Sequence, residues 1–198
     1  MTGHAHETAR ALARLDRRAF LRAVGGLAAA GVLPAGCGGV PPELAPPPGR
    51  TLAALSPRGY ATFQAFAARL VGSELGGAIA RRELDPAADA DAWVAGRPEL
   101  ARVLGQGLAL LEWGAWPLLP KLRPFTSLDP AGQDRVIGDL LRSRMDLKRD
   151  LYRGLKSLAS LVVYGDPAVR VRLGHPGPFD AAGIARAMNG DGPRAPTR

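Results

Sequence analysis

Cysteine and histidine are scarce in this chain of 198 residues, and their scarcity excludes several kinds of site. The single cysteine, Cys37, has no second thiol with which to form an internal disulfide or a thiolate-based metal site. Of the three histidines, His4 and His6 stand at the extreme N-terminus, which leaves His175 for the body of the chain. So few ligands exclude most zinc, haem-attachment and iron–sulfur arrangements.

Groups suited to catalysis are also few. His175 lies in "LGHPGPF", a stretch dense in proline and glycine, and we interpret it as a structural or interface residue rather than a catalytic base. Asp146 and Asp150 are four residues apart on a predicted helix, but basic side chains surround them. This pattern is typical of a solvated, salt-bridged helix face rather than of an acid/base pair. No glycine-rich phosphate loop follows a strand. The chain is therefore predicted not to be an enzyme.

Lysine and long apolar runs are lacking as well. The formal net charge is +8, yet Lys121, Lys148 and Lys156 are the only lysines. The arginines are interleaved with acids, as in "RSRMDLKRDLYR", and no basic run alternates with aromatic residues, so nucleic-acid binding is not predicted. The mildly apolar run Ala23–Leu33 has eleven residues. A membrane span needs about 20 residues.

The segment "DRRAFLR" before that run has the form of a twin-arginine export signal. Arg17 and Arg18 are the paired arginines, and Phe20 and Leu21 follow after one variable residue. A weakly apolar Ala/Gly-rich stretch suits a signal that is read by a receptor. The alternative is a short amphipathic basic helix at the surface. We predict export by the twin-arginine translocase, which carries folded proteins, to the periplasm or cell envelope.

Cys37 stands where a lipoprotein signal would end. Ala35 and Gly36 supply the last two small residues before it, although Pro34 replaces the usual leucine. Lipidation at Cys37 would anchor the chain to the membrane, whereas cleavage by an ordinary peptidase after Ala28–Ala30 would leave no anchor. The following "VPPELAPPPG" predicts a semi-rigid spacer. The predicted organisation is a signal with a lipobox over 1–37, a linker over 38–54, a helical domain over 55–179 and a flexible tail over 180–198.

The body of the chain has the pattern of helices separated by proline and glycine, without alternating strands. Ser56-Pro57 and Asp129-Pro130 each place a capping side chain before a proline at the first helical position. Apolar residues then recur every three or four positions. We predict an all-α fold, a single bundle of four main helices with shorter helices between residues 72 and 97. Its predicted inward-facing side chains include Tyr60, Phe63, Trp93, Leu104, Val136, Ile137, Leu140, Leu141, Leu155 and Leu158.

Two tryptophans, Trp113 and Trp116, cluster with Phe125 around the proline-rich connector "WPLLPKLRPF". Packing in the core is the simpler interpretation of this cluster. The alternative is a partner-binding surface, because tryptophan is over-represented among the anchoring residues of protein interfaces.

Three segments of the body resemble a known family. In "LYRGLKSLASLVVYGDPAVRVRLGHPGPF", a helix ending at Tyr164 is followed by Gly-Asp-Pro, a short helical turn and Leu-Gly-His-Pro-Gly-Pro. This arrangement resembles the end of the gluconate 2-dehydrogenase subunit 3 family. The stretch "LSPRGYATFQAFAARLV" is similar to the first helix of that family, and "FTSLDPAGQDRVIGDLL" to its middle segment. The resemblance covers Leu55–Phe179.

The resemblance implies a function as well as a helical fold. Members of the family are small helical subunits, often with twin-arginine signals, that pair with a flavin-dependent dehydrogenase of the glucose–methanol–choline type. The large partner lacks a signal and carries the flavin and the chemistry, while the small subunit assists its folding and export. The resemblance therefore implies no cofactor on this chain and FAD on the partner. The expected partner-binding residues are Trp113, Trp116, Tyr164, Asp166, Pro167, Gly174, His175, Pro176, Gly177 and Pro178.

A function of another class is also compatible with the sequence. The chain could act alone as an envelope lipoprotein, serving as a helical scaffold or binding module without a dehydrogenase partner. A neighbouring reading frame for a flavin-binding oxidoreductase without its own export signal would favour the accessory subunit.

Overall fold

Capping side chains followed by proline set the beginnings of most helices. The Ser56 hydroxyl accepts a hydrogen bond from the Gly59 N–H at 3.0 Å, and the Asp129 carboxylate accepts one from the Gly132 N–H at 2.8 Å. A proline occupies the first turn in both helices, where its missing N–H costs nothing. These are the two starts that the sequence pattern predicts.

The computed structural model describes residues 39–114 and 123–174. Over these residues the chain forms seven α-helices and one short 3₁₀ helix, without a strand, which confirms the predicted all-α fold. The helices are α1 (Pro57–Leu70), α2 (Gly72–Ala80), α3 (Pro86–Val94), α4 (Pro98–Gly114), the 3₁₀ helix (Phe125–Ser127), α5 (Pro130–Arg142), α6 (Asp146–Gly165) and α7 (Pro167–Arg172).

Helix α1 is the centre of the bundle. It contacts α2, α3, α4, α5 and α6, and every residue from Tyr60 to Ala67 is buried. Because this part of the helix is buried on all sides, it does not have the single apolar stripe that is typical of a surface helix. The side chains of Tyr60, Phe63 and Phe66 are almost completely buried and fill the space between the surrounding helices.

One of the predicted inward-facing residues is placed differently. Leu141 is 49% exposed, one residue before the end of α5, although Leu140 beside it is buried. Trp93 is partly buried and packs against the core, and the Arg97 guanidinium lies 4.9 Å from the centre of its ring. The expectation that Leu141 belongs to the buried face of α5 is therefore wrong, whereas Trp93 packs inward as predicted.

The N-terminal segment 41–55 lies against the helices. Leu44 packs on the core, and the Arg82 guanidinium donates hydrogen bonds to the carbonyl oxygens of Pro42, Glu43 and Ala45 at 2.9 to 3.2 Å. The structure therefore differs from the expected spacer, because these proline-rich residues are held by the folded body instead of standing clear of it.

Candidate functional site

Three of the expected partner-binding residues lie at the junction between α6 and α7: Tyr164, Asp166 and Pro167. Asp166 begins α7, and one of its carboxylate oxygens accepts hydrogen bonds from the N–H groups of Ala168 at 2.6 Å and Val169 at 3.3 Å. Pro167 is the first residue of α7, where a proline fits without losing a hydrogen bond. Val169 is completely buried. Asp166 and Pro167 therefore fix the direction in which α7 leaves the bundle.

The helix fixed in this way presents apolar side chains to solvent. Tyr164, at the end of α6, is 44% exposed, and Val171 and Leu173 on and after α7 are 77% and 52% exposed. We call these three residues the C-terminal patch. Gly174 closes the turn after α7 with a φ of +69°, and its N–H donates to the Val171 carbonyl at 3.0 Å. The structure thus brings Tyr164, Asp166, Pro167 and Gly174 to one end of the bundle.

An ion pair joins this end of the bundle to the loop after α2. The Arg172 guanidinium lies 3.2 Å from the Glu83 carboxylate, which also pairs with Arg81 at 2.6 Å. The hydrogen bond from Arg81, followed by that from Arg172, lowers the pKa of Glu83 below its usual value. All three side chains are substantially exposed, so this contact contributes little to stability.

Trp113 belongs to a different place in the fold. It lies near the end of α4, and the Arg58 guanidinium stands 5.3 Å from the centre of its ring. Arg58 also pairs with Glu112 at 2.9 Å. These three residues line a cavity of about 190 Å³ with Thr62, Leu108 and neighbouring small residues. None of the residues at the α6–α7 junction lines this cavity, so the structure does not join Trp113 to the C-terminal patch.

Glu112 is the one carboxylate among the largest fully buried side chains of the described residues, with an exposure of 1%. Besides Arg58, its oxygens accept hydrogen bonds from the Thr62 hydroxyl at 3.2 Å and from the Thr126 hydroxyl and N–H at 2.7 and 3.1 Å. The sequence analysis missed this residue. A signal was present, because Glu112 stands four residues after Leu108 on the apolar stripe of α4.

Asp91 is a second buried carboxylate that the sequence analysis missed. Its oxygens accept hydrogen bonds from the N–H groups of Ala53, Ala54 and Leu55 at 2.7 to 2.9 Å. Burial raises the pKa of Asp91, but the hydrogen bonds from Ala53, Leu55 and Ala54 outweigh it and hold the pKa below its usual value. The signal was again its position, between Ala90 and Val94 on the buried face of α3.

The carboxylates of Asp146 and Asp150 form ion pairs on α6. Asp146 pairs with Arg149, and Asp150 pairs with Arg153 at 3.2 Å, which confirms the predicted salt-bridged face of α6. Within residues 39–114 and 123–174, no group of three His, Cys, Asp or Glu side chains is arranged to hold a metal ion. No helix in the same ranges is long and apolar enough to span a membrane.

The other residues named from the sequence lie outside the described residues. They are Arg17, Arg18, Phe20, Leu21, Cys37, Trp116, His175, Pro176, Gly177 and Pro178.

Comparisons of the chain with protein-family models, with curated proteins and with solved structures found no match.

Proposed function

We propose that this chain is the non-catalytic small subunit of an exported flavin-dependent dehydrogenase of the glucose–methanol–choline type. In this role it binds the folded catalytic subunit, assists its folding and carries it through the twin-arginine translocase to the periplasm. The FAD and the redox chemistry belong to the catalytic subunit. The proposal combines the export motif at Arg17 and Arg18 with the family resemblance of Leu55–Phe179.

The observation that best supports this proposal is the C-terminal patch. It lies in the C-terminal segment that resembles the end of the accessory-subunit family. Val171 and Leu173 are held outward by a helix whose start is fixed by Asp166 and whose buried side is fixed by Val169. An apolar surface that is ordered before binding loses less conformational entropy when a partner docks on it.

The buried carboxylates are consistent with a binding role. The oxygens of Glu112 and Asp91 accept hydrogen bonds from side chains and backbone groups that hold the fold together. A catalytic acid or base needs instead a position within hydrogen-bond reach of a substrate proton. Both carboxylates therefore have a structural explanation that needs no substrate.

Export of the partner provides the test. In the native host, the Arg17→Lys/Arg18→Lys variant should leave the flavin-dependent dehydrogenase in the cytoplasm, as measured by dye reduction and flavin absorbance in separated periplasmic and cytoplasmic fractions. The matched control is Arg10→Lys/Arg14→Lys, which makes the same chemical change outside the motif and should leave export unaltered. A dehydrogenase that reaches the periplasm equally well in both strains would contradict the proposal.

The alternative is an envelope lipoprotein that acts alone as a helical scaffold or binding module. Because Arg82 holds the carbonyl oxygens from Pro42 onward, only four residues separate Cys37 from the folded body. A lipid on Cys37 would therefore keep the bundle close to the membrane. The same fractionation decides between the two functions, because a lipoprotein that acts alone has no dehydrogenase whose location depends on its signal.

A further inference from the structure

The turn between α5 and α6 exposes two large apolar side chains. Leu141 is 49% exposed and Met145 is 57% exposed. They are four residues apart in the sequence, so their Cα atoms lie within about 14 Å of each other. A single exposed apolar residue is ordinary on a protein surface, but two in one turn form a candidate contact. We call residues 141–149 the α5–α6 corner.

The backbone of this corner is held in place. The Met145 N–H donates to the Ser143 hydroxyl at 3.2 Å, and the Arg149 guanidinium donates to the Ser143 carbonyl at 2.7 Å. Arg149 also pairs with Asp146. The two apolar side chains are therefore displayed by an ordered turn, which reduces the entropy lost when they become buried.

The corner is strongly basic. Residues 141–149 contain four basic side chains and one acidic side chain. Two of the basic side chains are paired, because Arg149 pairs with Asp146 and Lys148 pairs with Asp139 of α5 at 2.8 Å. The surplus charge lies on Arg142 and Arg144, which form no ion pair among the residues that the structure describes.

We propose that the α5–α6 corner docks on an anionic phospholipid surface. Exposed apolar side chains beside surplus arginines are the combination that binds the interfacial region of such a membrane. Leu141 and Met145 would enter the headgroup region, while Arg142 and Arg144 would contact the lipid phosphates. The attraction is electrostatic in part, so it weakens as salt screens the charges.

The length of α6 separates this surface from the proposed partner site. The helix has 20 residues, which corresponds to about 30 Å. The exposed side chains of the corner, Leu141 and Met145, precede its first residue, whereas the C-terminal patch begins at its last turn. A dehydrogenase at one end therefore leaves the other end free to meet a membrane. The inference does not depend on the proposed function.

The single cysteine makes a local test practical. In the full chain carrying Cys37→Ser, a new thiol at Met145→Cys is labelled with a fluorophore that responds to polarity. We expect a blue shift of its emission with vesicles of phosphatidylcholine and phosphatidylglycerol, none with phosphatidylcholine alone, and reversal by high salt. The same label at Val171→Cys, in the C-terminal patch, should show no shift. Because the readout is local, the basic N-terminal segment cannot imitate it.

Charge variants complete the test. In the labelled Met145→Cys chain, Arg142→Gln/Arg144→Gln should weaken the apparent vesicle affinity about 25-fold, since each basic residue near an anionic surface contributes about fivefold. Arg81→Gln/Arg102→Gln removes the same charge elsewhere and should change the affinity less than about twofold.

Three outcomes would overturn the proposal: no shift at position 145, an equal shift at position 171, or equal weakening by both double variants. A shift at position 145 caused by the purified dehydrogenase and not by vesicles would overturn it too, and would assign the corner to an acidic protein surface.

Discussion

At the scale of the residue, Asp91 joins the N-terminal segment to the helices. Its carboxylate accepts hydrogen bonds from three consecutive N–H groups, those of Ala53, Ala54 and Leu55. These amides belong to no helix, so their hydrogen bonds must come from elsewhere. The position of residues 53–55, directly before α1, therefore depends on one side chain of α3.

We expect Asp91→Ala to lower the free energy of unfolding by about 2–4 kcal/mol, because it leaves amide donors without an acceptor in a buried place. Asp91→Asn should cost less, since one amide oxygen can still accept. Urea unfolding at neutral pH measures both effects. Asp89→Asn on the same helix is the control and should not lower stability, because burial and the nearby Asp166 and Asp85 carboxylates raise the pKa of Asp89 and disfavour its charge. Equal effects at the two positions would contradict the assigned role.

The difference in unfolding free energy between wild type and Asp91→Asn should also depend on pH, and the direction of that dependence follows from the pKa of Asp91. Because the folded-state pKa of Asp91 lies below its usual 3.8, the carboxylate stabilises the fold at pH values above 3.8. This contribution is lost as the pH falls from 3.8 through the lowered pKa. The difference in unfolding free energy between wild type and Asp91→Asn should therefore be constant near neutral pH and shrink below about pH 4. A difference that grows on acidification would contradict it.

At the scale of the element, the beginnings of helices were predictable and their long-range contacts were not. Ser56 and Asp129 act on N–H groups three residues away, so their roles are visible in a short window of sequence. Asp91 and Glu112 act on partners up to 38 and 54 residues away, respectively. Such pairings depend on how helices pack, which a periodic pattern does not specify. The pattern does show a carboxylate on the apolar face of a helix, and such a position indicates a buried carboxylate.

Glycines within helices illustrate the same limit. A Cβ at Gly107 would meet the Leu151 side chain at 3.0 Å, so this glycine allows close packing of α4 on α6. A Cβ at Gly105, two residues earlier, would meet nothing within 4 Å. A Cβ at Gly76 would lie 2.3 Å from the Ala68 carbonyl oxygen and would force α1 and α2 apart. The sequence does not distinguish these three glycines, whereas the packing shows a backbone clash at Gly76, a tight side-chain contact at Gly107 and open space at Gly105.

Glu112 joins three elements, because Arg58 and Thr62 lie on α1, Glu112 lies on α4 and Thr126 lies in the 3₁₀ helix. We expect Glu112→Gln to lower the free energy of unfolding by about 2–4 kcal/mol. The NH₂ group of glutamine cannot accept the hydrogen bonds that the replaced oxygen of Glu112 accepts, and Arg58 loses its negatively charged partner. Urea unfolding measures the loss. Glu99→Gln makes the same change at an exposed ion pair of α4 and should cost less than about 0.5 kcal/mol.

A double variant shows whether the Arg58–Glu112 contact itself carries the effect. Arg58→Gln/Glu112→Gln should cost clearly less than the sum of the two single variants, because each single variant removes the same interaction. Strict additivity of the three unfolding free energies would mean that the two side chains act independently, which would contradict the assigned pair.

At the scale of the whole molecule, the two exposed apolar surfaces lie at opposite ends of α6. The proposals therefore assign different partners to different ends: a protein to the C-terminal patch and a lipid surface to the α5–α6 corner. Between them, Glu112 joins α1, α4 and the 3₁₀ helix, and Asp91 joins α3 to the segment before α1. Under these two proposals, a bundle with two separated contacts would position an exported enzyme relative to a membrane, and variants at each end can be examined independently.

Val171 and Leu173 test the proposed partner-binding end of the bundle. Val171→Gln/Leu173→Gln should weaken association with the dehydrogenase at least about tenfold, because truncating an anchoring apolar contact typically costs more than 1 kcal/mol. Both side chains are exposed, so the unfolding free energy should change by less than about 0.5 kcal/mol. Titration calorimetry with the purified flavoprotein measures the affinity. Leu141→Gln, an equally exposed leucine in the α5–α6 corner, is the matched control and should bind as wild type does. Unaltered binding by the Val171→Gln/Leu173→Gln variant would remove the C-terminal patch from the interface, while a parallel loss of stability would show that the two side chains support the fold instead.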